Sequence, residues 1–233
     1  MHRTLDPFSW CVFFRHHPTE HILKADCSGE PIDEIRFDGD TSALMGNRPR
    51  VLIVGTRDIS PYGKAKTRQI VEALSKNPAR PVIVSGLALG VDTEAHLAAL
   101  DNGMPTVAVL PTGLDTVYPQ VNRELAKRIT QTPGCCLMTH FPDGTAPMAI
   151  NFFSRNAVMA TMADLVIVVE SKPRGGAIVT ARYAYDQGIP VLAIPGRVDD
   201  VRSQGCNALI STGIATMLSS IANLETINLS ENA

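Results

Sequence analysis

The 233-residue chain is 45% hydrophobic, with 17 Gly, 16 Pro and a formal net charge of −2, a composition that suits one sizeable α/β domain with a small appendage at most. A nearly neutral molecule has no global field to gather a polyanion, so any nucleic-acid binding must rest on a local cluster of Arg and Lys. Five Cys at 11, 27, 135, 136 and 206, with no C-x-x-C among them, argue against a disulfide framework or a zinc site.

The opening MHRTLDPFSW lacks the apolar run of a signal peptide, and no stretch approaches the ~20 apolar residues of a spanning helix. A reduced cytoplasm is therefore the expected compartment, without contact to a membrane. Residues 1–46 form a segment of uncertain fold, with the single Trp, loop-like DCSGEPIDE, and SWCVFF at 9–14 as a candidate strand. From residue 50 the pattern sharpens. VLIVG (51–55), VIVS (82–85), TVAVL (106–110), CLMT (136–139), LVIVV (165–169) and VLAI (191–194) are continuous apolar runs, as in strands buried on both faces of a parallel sheet. Helical patterns lie between them at 64–76, 92–103, 122–130, 154–163 and 176–187, the first with Ile70, Val71 and Leu74 on one face. Strands alternating with helices predict a doubly wound, mostly parallel sheet with helices on both faces. The core is expected over 47–217, with a tail over 218–233; 211–233 reads as a short helix and a frayed end.

Ligands of such sheets bind outside the carboxyl ends of the strands. The residues there are GTR (55–57), SGLALG (85–90), PTGLD (111–115), THFPDG (139–144), ESKPRGG (170–176) and PGR (195–197). Small-residue turns interspersed with Arg and Lys along one edge make a surface suited to phosphate.

Each turn also has a plainer reading. Gly55, Thr56 and Arg57 lack the G-x-G-x-x-G of a dinucleotide site, which disfavours NAD and FAD; Arg57 offers a five-donor fork to phosphate, but an isolated G-x-R is more often a paired surface cation. Ser85 and Gly86 end a strand, and outward-pointing amides of that turn could hold an anion. Asp92 and His96 share a helix face, yet two ligands without a third fall short of a metal site; capping by Asp92 and packing of His96 beneath the turn is preferred. Arg155 and Asn156 fall near a helix start that Ser154 could cap, where the dipole disfavours a cation unless an anion or a salt bridge holds it. Phe152 is core or an exposed platform for a base. Lys172, Arg174, Gly175 and Gly176 precede another helix and form the second anion-site candidate. No G-x-S-x-G, no GxxxxGK[ST] and no close carboxylate pair is present, so no catalytic residue is assigned. Cys135 and Cys136 lead into a strand and read as buried.

Taken in order, GTR…YG, SGLALGVDTEAHLAAL, TVAVLPTGLDTVYPQVN, FFSRN, GGAIVTA, AIPGR and SQGCNALISTG resemble the DNA processing protein A (DprA, or Smf) family over about residues 50–215. The resemblance implies an extended Rossmann-like fold that binds single-stranded DNA without a cofactor or nucleotide hydrolysis, helps load the RecA recombinase, and forms a homodimer. It also places phosphate at Arg57, the Ser85–Gly86 turn, Arg155–Asn156 and the Lys172–Gly176 loop. Two departures stand out: FFSRNA where the family commonly reads FPxRNR, leaving Ala157 in place of an Arg, and GGAIVTA where SGSLITA is common, leaving Gly175 and Ala177 without hydroxyls. Each lost hydrogen bond should weaken phosphate holding by ~1 kcal/mol. Two other readings use the same pocket. One is a phosphoribohydrolase of the LOG type, disfavoured because KPRGGAIVTARYA has no Glu at the PGGxGTxxE offset; the other is a nucleotide sensor without turnover.

Overall fold

A computed structural model describes residues 3–5 and 34–229. Among these described residues nine strands form one sheet: β1 (Arg3–Leu5), β2 (Ile35–Gly39), β3 (Arg50–Val54), β4 (Val82–Ser85), β5 (Thr106–Val109), β6 (Cys136–Thr139), β7 (Leu165–Val168), β8 (Val191–Ala193) and β9 (Thr216–Met217). The helices are α1 (Ser42–Met45), α2 (Pro61–Lys76), α3 (Val91–Asp101), α4 (Arg123–Thr130), α5 (Ala149–Thr161), α6 (Gly176–Asp186) and α7 (Val201–Ser211). Spatial order is β1-β2-β6-β5-β4-β3-β7-β8-β9. All pairings from β6 to β9 are parallel, while β1–β2 and β2–β6 are antiparallel. The fold class read from the sequence, a mostly parallel doubly wound α/β sheet, is the one observed.

The unbroken apolar runs are explained by two cores. Leu52, Val54, Val84, Val107, Val109, Val166 and Val168 face one way, onto Val158, Met159, Ala181 and Leu209 of α5, α6 and α7. Their neighbours Val51, Ile53, Ile83, Leu165 and Ile167 face the other way, onto Ile70 and Leu74 of α2 and Ala95 and Ala99 of α3. α4 covers Ala108 and Leu137 on that second side through Leu125 and Ile129. Period-two alternation sends successive residues to opposite faces, so a strand covered twice must be apolar throughout.

Several boundaries differ from the expected ones. β2 lies within the 1–46 segment but belongs to the sheet: Phe37 pairs with Met138 and is buried. Its alternation, IRFDG, is that of an antiparallel strand with one buried face and one partly open face. SWCVFF lies outside the described residues. Over 211–229 the short helix expected there is a 3₁₀ turn at Ile221–Glu225, and the strand β9, which is not among the expected elements, precedes it. Leu224 and Leu229 are buried against α2, and Asn77 Nδ2 donates to the carbonyls of Leu224 (2.9 Å) and Ile227 (3.1 Å). α7 has no counterpart among the expected helices, because VRSQGCNALIS mixes Gly, Ser, Asn and β-branched residues without an amphipathic stripe. Its one signal is Asp200, whose carboxylate accepts from Arg202 N at 2.9 Å as an N-cap. α5 begins at Ala149, so Ser154 and Arg155 sit inside the helix and not at its start. Among the described residues no helix is long and apolar enough to cross a membrane.

Candidate functional site

The chain winds outward from β3 through β4, β5 and β6, then returns to β7 on the other side of β3. That reversal opens a crevice beyond the carboxyl ends of β3 and β7, and a cleft of about 640 Å³ occupies it. Gly55, Thr56, Arg57, Phe152, Arg155, Asn156, Lys172, Gly175 and Gly176 all line the cleft. Separate loops and helix ends are thereby brought to one place.

The first wall is the β3–α2 loop. A Cβ on Gly55 would stand 2.5 Å from Val91 Cγ2, so only glycine admits α3 this close. Thr56 N donates to the Glu170 carbonyl at 2.7 Å, and Val91 N donates to the Thr56 carbonyl at 3.2 Å. Beneath the loop, the buried Glu170 carboxylate accepts from Ser60 N (3.0 Å) and Ser60 Oγ (2.5 Å), while Ser60 Oγ accepts from Gly63 N (3.0 Å) and caps α2. The sequence gives no sign of this role for Glu170; its partner is 110 positions away, and no local pattern signals such a bond. Arg57 is exposed, its guanidinium 5.1 Å from the centroid of the Phe152 ring.

The floor is Arg155. It is only 3% exposed. Its Nη1 donates to the carbonyls of Gly86 and of Val109 (2.8 Å), and its Nε donates to Asn156 Oδ1 (3.1 Å). The guanidinium lies where a Cβ of Gly86 would be, with Asp92 Oδ2 beside it, which explains the glycine. Burial lowers the Arg155 pKa to about 10, against the attraction of Asp92, so the group remains a cation at neutral pH. Burial likewise raises the pKa of Asp92, opposed by Arg155. Asp92 does not cap α3, whose N-cap is Gly90; its carboxylate folds back to accept from Ala88 N at 3.3 Å. Gly90 has φ +78° and no room for a Cβ against the Thr56 carbonyl.

His96 packs fully buried under this turn, its Nδ1 2.8 Å from Thr106 Oγ1, and burial pushes its pKa down to about 3. Ser85 does not reach the cleft: its hydroxyl is buried and donates to the Ile53 carbonyl at 2.7 Å, stitching β4 to β3. Gly86 faces a small recess next to the cleft, shared with Leu89, Tyr118 and Phe152. Phe152 meets Tyr118 edge-on at 5.8 Å, while Phe153 lines the cleft with 43% of its surface open.

The far wall is the β7–α6 loop. Lys172 is exposed at the cleft mouth, and Gly175 is the N-cap of α6 with no side-chain cap, which leaves first-turn amides open toward the cleft. A Cβ on Gly175 would stand 2.5 Å from Ser171 Oγ. Arg174 is exposed but is not part of the lining. The carboxylates lining the cleft are Asp58 and Asp92, and no close acid pair is formed. Cys135 and Cys136 are buried, and burial raises both thiol pKa values. A buried cation, an exposed outer cation and a helix N-terminus without a side-chain cap, beside aromatic rings, offer donors of the kind an anionic oxygen cluster accepts from.

The family described as DNA recombination-mediator protein A matches residues 30–227. DNA processing protein DprA of Streptococcus pneumoniae is 39% identical over 205 residues, covering 86% of this chain and 71% of that protein. Protein Smf of Synechocystis is 38% identical over 180 residues, covering 77% of this chain and 44% of the longer relative. The structure of DNA processing protein A from Helicobacter pylori, described for its single-stranded DNA binding mode, superposes with a TM-score of 0.79 at 30% identity, covering 97% of this chain and 94% of that one. On these matches the chain belongs to the DNA recombination-mediator protein A family.

Proposed function

We propose that this chain binds single-stranded DNA in the switch-point cleft, with backbone phosphate held between Arg57, Arg155 and the open amides at Gly175–Gly176. The observation that carries the reading is the depth of Arg155, a cation 3% exposed at the floor of a cleft of about 640 Å³. A rigid duplex presents its phosphates on a convex cylinder and cannot lower one to that floor. A single strand can, and it can lay its splayed bases against aromatic rings at the rim. The description of the H. pylori relative supports the same substrate.

Asn156, Lys172 and the Gly55–Thr56 backbone are the remaining contacts within reach of the strand. Ser85 and Gly86 act from beneath, by holding the turn that seats Arg155. Arg174, exposed on the same loop, serves the strand outside the cleft. The Phe152 ring has the Arg57 guanidinium 5.1 Å and the Arg155 guanidinium 5.7 Å from its centroid, so a base that stacks there has cations as neighbours; Phe153 and Tyr118 offer the more open faces. The protein acts without catalysis, as a mediator that presents a single strand to the RecA recombinase, as a homodimer in the cytoplasm. Ala157 is buried in α5, so no cation replaces the family's second Arg, and Arg57 carries more of the binding.

The test is equilibrium binding of a labelled ~30-nucleotide strand, followed by anisotropy at several salt concentrations, with duplex and AMP as competitors. Salt-sensitive binding, with a slope near −0.7 per neutralised phosphate, that neither competitor disturbs is the expected result. Displacement by AMP at micromolar concentration would make the cleft a mononucleotide site, and hydrolysis would be the next assay.

A further inference from the structure

An acid stands among the cations at the cleft mouth. Asp58, on the β3–α2 loop and with 66% of its side chain exposed, places Oδ2 3.4 Å from Arg202 Nε and 4.0 Å from Lys172 Nζ. The three residues come from three elements, and backbone bonds fix the elements together. Ser171 N donates to the Arg202 carbonyl at 2.7 Å, and Gly205 N donates to the Ser171 carbonyl at 2.8 Å, which fastens the start of α7 to the loop bearing Lys172. Asp58 N donates to Thr56 Oγ1 at 3.1 Å, so its own loop is also set.

Charge alone joins the acid to its partners. Lys172 at 4.0 Å is beyond hydrogen-bond reach. Arg202 Nε is buried and has no hydrogen-bond partner among the described residues, despite its proximity to the carboxylate; its Nη1 lies 3.9 Å from Asp200 Oδ1. Exchanging Asp58 for a phosphate oxygen would cost no hydrogen bond and would add charge-assisted ones.

We propose that Asp58 is an ionic latch: it holds Lys172 and Arg202 as their counter-charge in the free protein, and a DNA phosphate takes its place, which makes Arg202 a nucleic-acid contact beyond the cleft floor. The inference rests on the reading of the cleft as a single-strand site. It also accounts for an acid in a cationic cleft, where it would otherwise only oppose binding: the latch keeps two cations apart from stray anions and sets how strongly binding responds to salt.

The experiment is a salt titration of binding to a (dT)30 strand by the full chain and by Asp58→Asn, Arg202→Gln, the double variant, and Asp186→Asn as a control with the same charge change at the exposed end of α6. Exposed ion pairs of this kind are each worth a factor of about 1.5 to 5. Asp58→Asn is therefore expected to bind roughly threefold to tenfold tighter at low salt, with the log–log slope steeper by about 0.7 for each further phosphate neutralised. Arg202→Gln is expected to abolish most of that increase, and Asp186→Asn to leave the slope unchanged. Asp58→Asn with wild-type affinity and slope and an unshifted thermal midpoint would overturn the latch while leaving the single-strand reading intact. Tighter binding that persists in full in the double variant would overturn the role of Arg202. A wild-type chain that fails to bind (dT)30 would overturn both.

Discussion

Arg57 and Arg155 serve one cleft in different ways. Arg57 is exposed and, among the described residues, its guanidinium rests on the Phe152 ring, so its removal costs little packing. Arg57→Ala is expected to weaken single-strand binding by about 1.5–3 kcal/mol, the range for hydrogen bonds to a charged group, with a nearly unchanged urea midpoint. Arg155 is buried against Asp92 and holds the carbonyls of Gly86 and Val109. Arg155→Ala leaves a buried carboxylate without its counter-charge and should lower stability by about 3–5 kcal/mol, with partial recovery in the double variant with Asp92→Asn. Its effect on binding is thus inseparable from its effect on the turn. His96 gives the site a pH signature. Its pKa falls from 6.5 to about 3 on folding, so the unfolded chain binds the extra proton between those values. Stability is therefore fully present above pH 6.5 and is lost as pH falls toward 3, by roughly 4–5 kcal/mol at the acid end. Asp92, with its raised pKa, acts with the opposite sign, so the histidine share is read as the flattening of urea midpoints between pH 7 and pH 5 in His96→Asn.

At the scale of elements, the β4–α3 turn is the part on which the others depend. Leu87 adopts φ +55° while fully buried, a conformation that costs about 1–2 kcal/mol for a residue with a Cβ. Asn122, at the end of the YPQVN segment, holds it there: its Nδ2 donates to the Leu87 carbonyl and to Thr93 Oγ1, both at 2.8 Å, and Thr93 Oγ1 donates to the Ala88 carbonyl at 2.6 Å. Asn122→Ala is expected to cost about 1–3 kcal/mol of stability, to speed amide exchange over 86–90, and to weaken DNA binding from a position outside the cleft lining. An unaltered exchange rate would show that the turn holds itself. This interlock ties the SGLALG turn to the YPQVN segment, a link that sequence spacing cannot express. The glycines and cations after β3 and β7 are legible because local chemistry marks them. Glu170, Asn122 and the Asp58–Arg202 pair are not, since each works through a partner distant in the chain. Ser85 misleads for a related reason: a hydroxyl in a small-residue turn looks free until the neighbouring strand is in place.

At the scale of the molecule, the six central strands are readable because burial on both faces forces continuous apolar runs. The edges are not. β2 alternates, β9 has two residues, and the Ile221–Glu225 turn has no period, so each takes its place through contacts and not through propensity. The sheet order nevertheless follows from the winding, and it alone sets the location of the cleft. The central claim is therefore positional: a single strand lies across the carboxyl ends of β3 and β7. Photocrosslinking of a 5-iodouracil-substituted oligonucleotide, with the modified peptides mapped by mass spectrometry, tests it most directly. Crosslinks concentrated on peptides with Tyr118, Phe152 and Phe153, and lost in competition with unmodified single strand, are the expected result. Crosslinks confined to α4, to β2 or to the chain before residue 34 would place the DNA elsewhere and contradict the account.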